Sequence, residues 1–141
     1  MISVRWALKN LPVDAIRYYL CAIAPETKDS SFDWDEFMNR YNGELCDVVG
    51  NFVHRSLTMT VKHFDGRVPP AGTLEAQDQA MLDAIPEQLD AIAEALEEFR
   101  FRQAVERFIE LGRKANVYFD AMQPYRVPLD ALMEIDDRRV A

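Results

Sequence analysis

The sequence predicts an all-α fold, an antiparallel bundle of about three long helices preceded by a short one. Apolar residues recur at steps of three and four along most of the chain, the period of a helix that buries one face. The chain contains only five glycines, and its β-branched residues do not form alternating runs, so strands are disfavoured. Its 141 residues, of which 49% are hydrophobic, suit one domain with a substantial core.

The first predicted helix is short and covers Leu11–Ala24. Pro12 and Asp14 lie at its start, where a fixed φ and a negative charge both favour helix initiation. A polar stretch, APETKDSSFD, follows this helix and separates it from the rest of the chain. We therefore predict that residues 1–32 form a connecting segment.

The second predicted helix is long and runs from about Trp34 to Phe64. Gly43 and Gly50 lie inside it, and each costs up to ~1 kcal/mol relative to alanine. Each glycine therefore predicts a bend or the close approach of another helix. The pair Asp65 and Gly66 is predicted to end this helix.

The third predicted helix, which begins just after Thr73, is strongly acidic. The stretch from Val68 to Phe99 contains eight acidic residues and no lysine or arginine, so it alone accounts for the net charge of −8. The remaining sixteen acids and sixteen bases cancel, which leaves the rest of the surface free to carry a local basic patch. Pro86 lies inside the pattern and is predicted to kink the helix.

The fourth predicted helix runs from about Arg102 to Met122 and ends before Pro124. Together with the two preceding helices it defines a bundle at residues 33–125. Residues 126–141 are predicted to form a separate tail, in which four apolar residues suit one short helix: Leu129, Leu132, Met133 and Ile135.

Several classes of protein are disfavoured. No apolar run reaches the ~18 residues needed to cross a bilayer, and the N-terminus lacks the pattern of a signal peptide, so a cytoplasmic protein without a membrane partner is predicted. Cys21 and Cys46 lie in apolar helical patterns and are predicted to be buried free thiols, with a disulfide or metal pair as the alternative. No zinc-site spacing, nucleophile–base pair or phosphate loop is present, so we expect no catalytic residue, metal or cofactor in this chain.

A polar stripe lies beside the apolar face of the second helix. Its members follow one another at steps of four, three and four residues and therefore share one side: Asn51, Arg55, Thr58 and Lys62. Asn51 offers a donor and an acceptor side by side, and Arg55 offers a planar fork, which suits the edge of a nucleic-acid base. The solvated face of a bundle helix has the same spacing, so both interpretations remain open.

A second polar element lies at the end of the fourth helix. Asn116, Asp120 and Gln123 approach the helix terminus, and Tyr125 follows the proline turn. An exposed aromatic ring after such a turn can stack on an unpaired base, worth about 1–3 kcal/mol. The alternative is that Tyr125 covers the end of the bundle.

The stretch PVDAIRYYLCAIAPETKDSSFDWDEF is similar to the segment that joins the catalytic fold of the methionyl-tRNA synthetases to their helical domain. GNFVHRSLTMTVKHFDGRVPP resembles the opening of the anticodon-binding bundle, and EEFRFRQAV with ANVYFDAMQP resembles its later helix. The resemblance runs from about Pro12 to Pro124.

The resemblance implies recognition of tRNA(Met). In the family, an asparagine and an arginine one turn apart contact the CAU anticodon, and these roles carry over to Asn51 and Arg55. A tryptophan after the proline turn stacks on an anticodon base, and Tyr125, with a smaller ring, occupies the matching position. Contacts to the tRNA backbone are expected from three basic side chains: His54, Lys62 and Arg67.

The resemblance also implies ATP and Mg²⁺, which the catalytic core of the family handles with a His-Ile-Gly-His-type motif and a Lys-Met-Ser-Lys-Ser-type loop. Neither motif occurs here, and MISVRWAL retains at most Ser3 and Arg5 of the loop. We therefore expect no ATP site in this chain and no aminoacylation by this chain alone.

A different interpretation is a helical assembly module derived from a split or truncated synthetase. Family members continue past the proline turn with helix that closes the bundle, whereas residues 126–141 diverge. An uncovered apolar edge is then expected, at a cost of ~25 cal/mol per Å². Its partner would be a separate catalytic chain or a second copy of this chain.

Overall fold

The computed structural model describes residues 3–68 and 71–126, and all regular structure within them is helical. Six α-helices lie in these ranges: α1 (Val4–Asn10), α2 (Val13–Ala22), α3 (Trp34–Arg40), α4 (Asn51–Phe64), α5 (Ala76–Glu97) and α6 (Phe101–Met122). A π-helical segment, Tyr41–Gly50, connects α3 to α4 without a break, and a 3₁₀ turn, Pro124–Arg126, follows α6. The all-α prediction is confirmed, and the predicted tail helix lies outside the described residues.

An aromatic cluster holds α2 against α3 and the π segment. It consists of four side chains: Tyr19, Phe32, Phe37 and Tyr41. The side chain of Tyr19 is 0% exposed and meets the rings of Phe32 and Phe37 edge-on, at centroid distances of 5.1 and 5.4 Å. The domain boundary predicted at residue 33 stays a prediction, and this cluster draws residues from both sides of it.

The helix predicted from Trp34 to Phe64 is present, but its middle is a π helix that the periodicity did not reveal. A Cβ at Gly43 would meet no atom within 4 Å, and one at Gly50 would meet the Leu45 carbonyl oxygen of the same helix at 3.1 Å. The close approach of a second helix occurs instead at Gly112 in α6, where a Cβ would lie 2.9 Å from Val48 Cγ1. α4 ends at Asp65 and Gly66, both with positive φ, as predicted.

Helices α5 and α6 form an antiparallel hairpin. The turn places Phe99 in the left-handed region at φ 58°, and the Arg100 backbone N–H donates to the Ala95 carbonyl at 2.7 Å, as in a Schellman cap. At the other end of the hairpin, the Tyr118 hydroxyl donates to Asp78 Oδ1 at 2.5 Å. This hydrogen bond lowers the pKa of Asp78 and, with burial, raises the pKa of Tyr118 to about 12.

α6 is the central helix, because it packs along α5 and also against α2, the π segment and α4. Between α4 and α5 the described residues form no extended interface. α5 consequently leaves part of its predicted inner face uncovered, including a leucine row one heptad apart: Leu82, Leu89 and Leu96 are 48%, 53% and 46% exposed. A closed three-helix bundle therefore stays a prediction. α5 continues through Pro86 without interruption, and the kink predicted at this residue stays a prediction.

The state of the two cysteines and the hydropathy of the helices bear on two further predictions. Cys21 is half-buried and Cys46 is exposed, so the prediction of two buried thiols is wrong, although both are free. None of the described helices is both long and apolar enough to span a membrane.

Candidate functional site

Arg55 lies where α4 packs on the C-terminal part of α6. Its Nη2 donates to Asp120 Oδ1 at 2.6 Å, and its guanidinium carbon lies 4.4 Å from the centroid of the Phe119 ring. The buried Phe119 ring also meets Phe52 of α4 edge-on at 6.3 Å. Two attractions of about 0.5–1 kcal/mol each, an ion pair and a cation–π contact, therefore hold Arg55 in one place.

Tyr125 joins this site through the backbone turn that ends α6. Gln123 adopts a left-handed conformation with φ 43°, and its N–H donates to the Phe119 carbonyl at 3.1 Å. The chain then turns at Pro124, which brings the Tyr125 ring to 6.4 Å from the Phe119 ring at a tilt of 32°. Tyr125 remains 51% exposed, so one side of the ring rests on the helix end and another side faces solvent.

Asn51 is the first residue of α4, one turn before Arg55, and it is exposed. It lies at the end of the π segment and borders a shallow depression whose other lining residues are Cys46, Asp47, Gly50 and His54. Because Gly50 has no side chain, the surface beside Asn51 is open. The Asn51 side chain is therefore accessible, one helical turn before Arg55.

The remaining candidates lie around this site without joining it. Thr58 and Lys62 are exposed on successive turns of α4, and Arg67 is exposed in the turn that follows. His54 is exposed on the side of α4 that lines the depression. The described contacts thus bring Arg55 and Tyr125 together through Phe119, while the three basic candidates have no part in that contact.

Two features of the site were not predicted from the sequence. The periodicity marked Phe119 as an inward residue, but nothing in the pattern indicated that it would support both Arg55 and Tyr125. The sequence indicates only that Asp120 is a polar residue near the helix end, because its partner, Arg55, lies 65 residues away. The one available signal was the position of Asp120 directly after a core aromatic residue.

Metal ligation finds no support in the described part of the chain, where no three His, Cys, Asp or Glu side chains come together as a candidate metal site.

Comparison with known proteins identifies the family. Residues 1–57, which include Asn51 and Arg55, match the family model of class I tRNA synthetases (M). The methionine–tRNA ligase of Pyrococcus horikoshii is 43% identical over 89% of this chain, and that of Salinibacter ruber is 46% identical over 79%. These alignments cover 17% and 16% of the two ligases, so the chain spans about a sixth of the length of the curated relatives it matches.

A solved structure agrees with the sequence comparison. The crystal structure of Mycobacterium tuberculosis methionyl-tRNA synthetase bound by methionyl-adenylate superimposes with a TM-score of 0.80 at 32% identity. The superposition covers 86% of this chain and 24% of that one. The resemblance seen in the sequence is thus confirmed, and the chain is a homologue of methionyl-tRNA synthetases that matches one helical segment of them.

Proposed function

We propose that this segment binds the anticodon of tRNA(Met), with Asn51 and Arg55 reading the edges of unstacked CAU bases and Tyr125 stacking on one of them. The observation that carries the proposal is the convergence of Arg55 and Tyr125 on Phe119, with Asn51 exposed one turn away. Unpaired loop bases are recognised by this combination of an aromatic platform with amide and guanidinium groups.

Asp120 gives Arg55 a defined orientation. A guanidinium carries five N–H donors, and the Asp120 contact engages one nitrogen, which leaves further donors for a base. The negative charge of Asp120, 2.6 Å from Nη2, also makes this corner less suited to phosphate attraction than to hydrogen-bond readout. Phosphate contacts are proposed for the exposed Lys62 and Arg67, and for His54 at the edge of the depression.

The test is a titration with tRNA bearing a CAU anticodon against the same tRNA with one anticodon base changed, at fixed salt. We expect tighter binding to the CAU form. Arg55→Ala should weaken CAU binding by about tenfold to a hundredfold, the worth of one good base contact, and should bring the two affinities together. Arg55→Lys keeps the charge and loses the planar fork, so it should also lose discrimination.

Two variants on the same side of α4 are the controls. Thr58→Ala should leave both affinities unchanged. Lys62→Ala should weaken both tRNAs equally and reduce the salt dependence of binding, as expected for a phosphate contact. Equal affinities of the unmodified protein for the two tRNAs, or an Arg55→Ala variant that still discriminates, would rule out base readout at this site.

The leucine row on α5 favours a second candidate function, assembly with another helical chain. Leu82, Leu89 and Leu96 recur at heptad spacing and are each about half exposed, which suits packing against an apolar face of another helix. The proposed partner is a separate synthetase catalytic chain or a second copy. Light scattering at micromolar concentration measures the molar mass in solution and so tests for a second copy. A clean monomer would contradict self-association. ATP and Mg²⁺ have no assigned role in either candidate function.

A further inference from the structure

We infer that Asn116 is a positioning residue, which fixes the place of Asn51 through a backbone carbonyl that both residues share. This inference rests on the proposed anticodon readout, because the purpose it assigns to Asn116 is the orientation of a reading group. Asn116 itself is half-buried on α6 and faces the π segment.

The shared group is the carbonyl of Val48. The Asn116 side chain donates from Nδ2 to the Val48 oxygen at 2.8 Å, and from the same nitrogen to the Gly112 oxygen at 2.9 Å. The backbone N–H of Asn51 also donates to the Val48 oxygen, as well as to the Cys46 oxygen five residues before it. One carbonyl therefore links the α6 side chain directly to the backbone of Asn51.

The position of this link follows from the π segment. Where a π helix returns to α geometry, the hydrogen-bond register changes, and a carbonyl near the junction is left with a poorer intrahelical partner. The junction here is between Gly50 and Asn51, and Gly50 adds backbone freedom at that point. A contact from outside the helix therefore favours one arrangement of the junction.

The Asn116 amide can occupy this position in one orientation only. Both of its N–H groups face carbonyl oxygens, whereas its Oδ1 is buried without a partner in the described residues. An exchange of Oδ1 and Nδ2 would place an oxygen against two carbonyl oxygens. The two hydrogen bonds donated by Nδ2 offset the cost of leaving Oδ1 unpaired. They fix the position of α6 along the π segment.

The packing beside this link is equally specific. A Cβ on Gly112 would lie 2.9 Å from Val48 Cγ1 and 3.5 Å from Val49 Cγ2, so the absence of a side chain lets α6 approach closely enough for Asn116 to reach Val48. Gly112→Ala should therefore push the two helices apart at the same crossing. This change perturbs the link without altering any hydrogen-bonding group.

The experiment combines discrimination with backbone protection. Asn116→Asp, which replaces the donor by an acceptor of the same shape, Asn116→Ala and Gly112→Ala are compared with Val117→Ala, an exposed neighbour on α6. Each variant is titrated with the CAU tRNA and the one-base-changed tRNA, and hydrogen exchange of the residue 51 amide is followed by NMR in the free protein. Circular dichroism verifies that the variants remain helical.

We expect the three perturbing variants to reduce discrimination by about tenfold, towards the low end of the worth of one base contact, because Asn51 would be held less firmly. They should also speed amide exchange at residue 51. Val117→Ala should change neither. Unchanged discrimination in folded Asn116→Ala and Gly112→Ala would overturn the inference, provided that the unmodified protein discriminates. If the unmodified protein does not discriminate between the two tRNAs, the proposed function fails. In that case, hydrogen exchange at residue 51 that is unchanged in the variants overturns the positioning role of Asn116.

Discussion

The aromatic cluster and the leucine row show two ways in which this chain uses apolar residues. The centre of the aromatic cluster is buried, with Tyr19 and Phe37 0% and 2% exposed, and the partly buried Phe32 and Tyr41 pack around it. The leucine row on α5 has the same helical periodicity in the sequence, yet each of its side chains is about half exposed. An apolar period therefore indicates that a face is suited to burial, but the number of neighbouring elements decides whether it is buried.

The polar groups of the two regions differ in the same way. In the aromatic cluster, the Tyr19 hydroxyl lies 3.2 Å from the Asp33 carbonyl oxygen, the Asp33 backbone nitrogen and Glu36 Oε2. On α5, acidic side chains alternate with the leucines and face solvent, and one cross-helix bond, from Tyr118 to Asp78, secures the start of the helix. Stability should therefore be more sensitive to changes in the cluster than to changes in the row.

The largest effect is expected from Phe37→Ala, which empties the centre of the aromatic cluster. Truncation of a buried phenylalanine typically costs about 3–5 kcal/mol, because both transfer energy and a cavity are involved. Urea unfolding followed by circular dichroism measures the change. Phe108→Ala, at a 41% exposed position of α6, is the control and should cost far less. Equal losses in the two variants would contradict the difference in burial.

Tyr19→Phe should have an intermediate effect. The ring is retained, but the hydroxyl that bridges α2 to the start of α3 is lost, so the free energy of unfolding should fall by about 1 kcal/mol. Tyr41→Phe is a suitable control, since it removes a hydroxyl from the same cluster at a position with no described hydrogen bond. If both variants have the stability of the unmodified protein, the Tyr19 bridge contributes nothing.

Tyr118→Phe should have a smaller effect, with a characteristic pH dependence. The bond lowers the pKa of Asp78, so its contribution is present above the ordinary carboxyl range and is lost as the pH falls through the lowered value. It raises the pKa of Tyr118 to about 12, so the contribution is complete below ~10 and is lost as the pH rises through about 12. An ultraviolet titration of the phenols should therefore lose one late-titrating tyrosine in Tyr118→Phe.

The Asp78→Asn variant completes that test from the other side of the bond. It should bring the Tyr118 titration back towards the ordinary tyrosine range and should flatten the acid limb of stability. A Tyr118 that still titrates near 12 in Asp78→Asn would mean that the bond does not cause the shift.

Leu89→Gln should have the smallest effect. A leucine that is 53% exposed can be replaced at a cost within about 0.5 kcal/mol. Ile109→Ala, at a position 2% exposed in α6, should cost about 2–5 kcal/mol and shows what a covered side chain contributes. A large, concentration-dependent loss in Leu89→Gln would show that a second chain covers the leucine row, which would sharpen the case for assembly.

Much of the candidate site could be anticipated from local sequence. The step of four between Asn51 and Arg55 and the proline turn before Tyr125 are encoded within a few residues, and motif order alone led to the family. The pairing of Arg55 with Asp120 and the contact of Asn116 with Val48 had no comparable signal, because their partners are 65 and 68 residues apart. Gly112 likewise has no local signal, since its role depends on its contact with Val48.

By itself, the sequence determined the helical class, the extent of the long helices and the kinship with methionyl-tRNA synthetases. Helix periodicity and terminating residues are local properties, which explains why Trp34–Phe64 and the start of α6 were located to within a residue. The tertiary structure alone decided which apolar faces are covered, where the π segment meets α6 and how Arg55 is held. These features depend on how distant segments pack, and interactions at such separations leave no period in the chain.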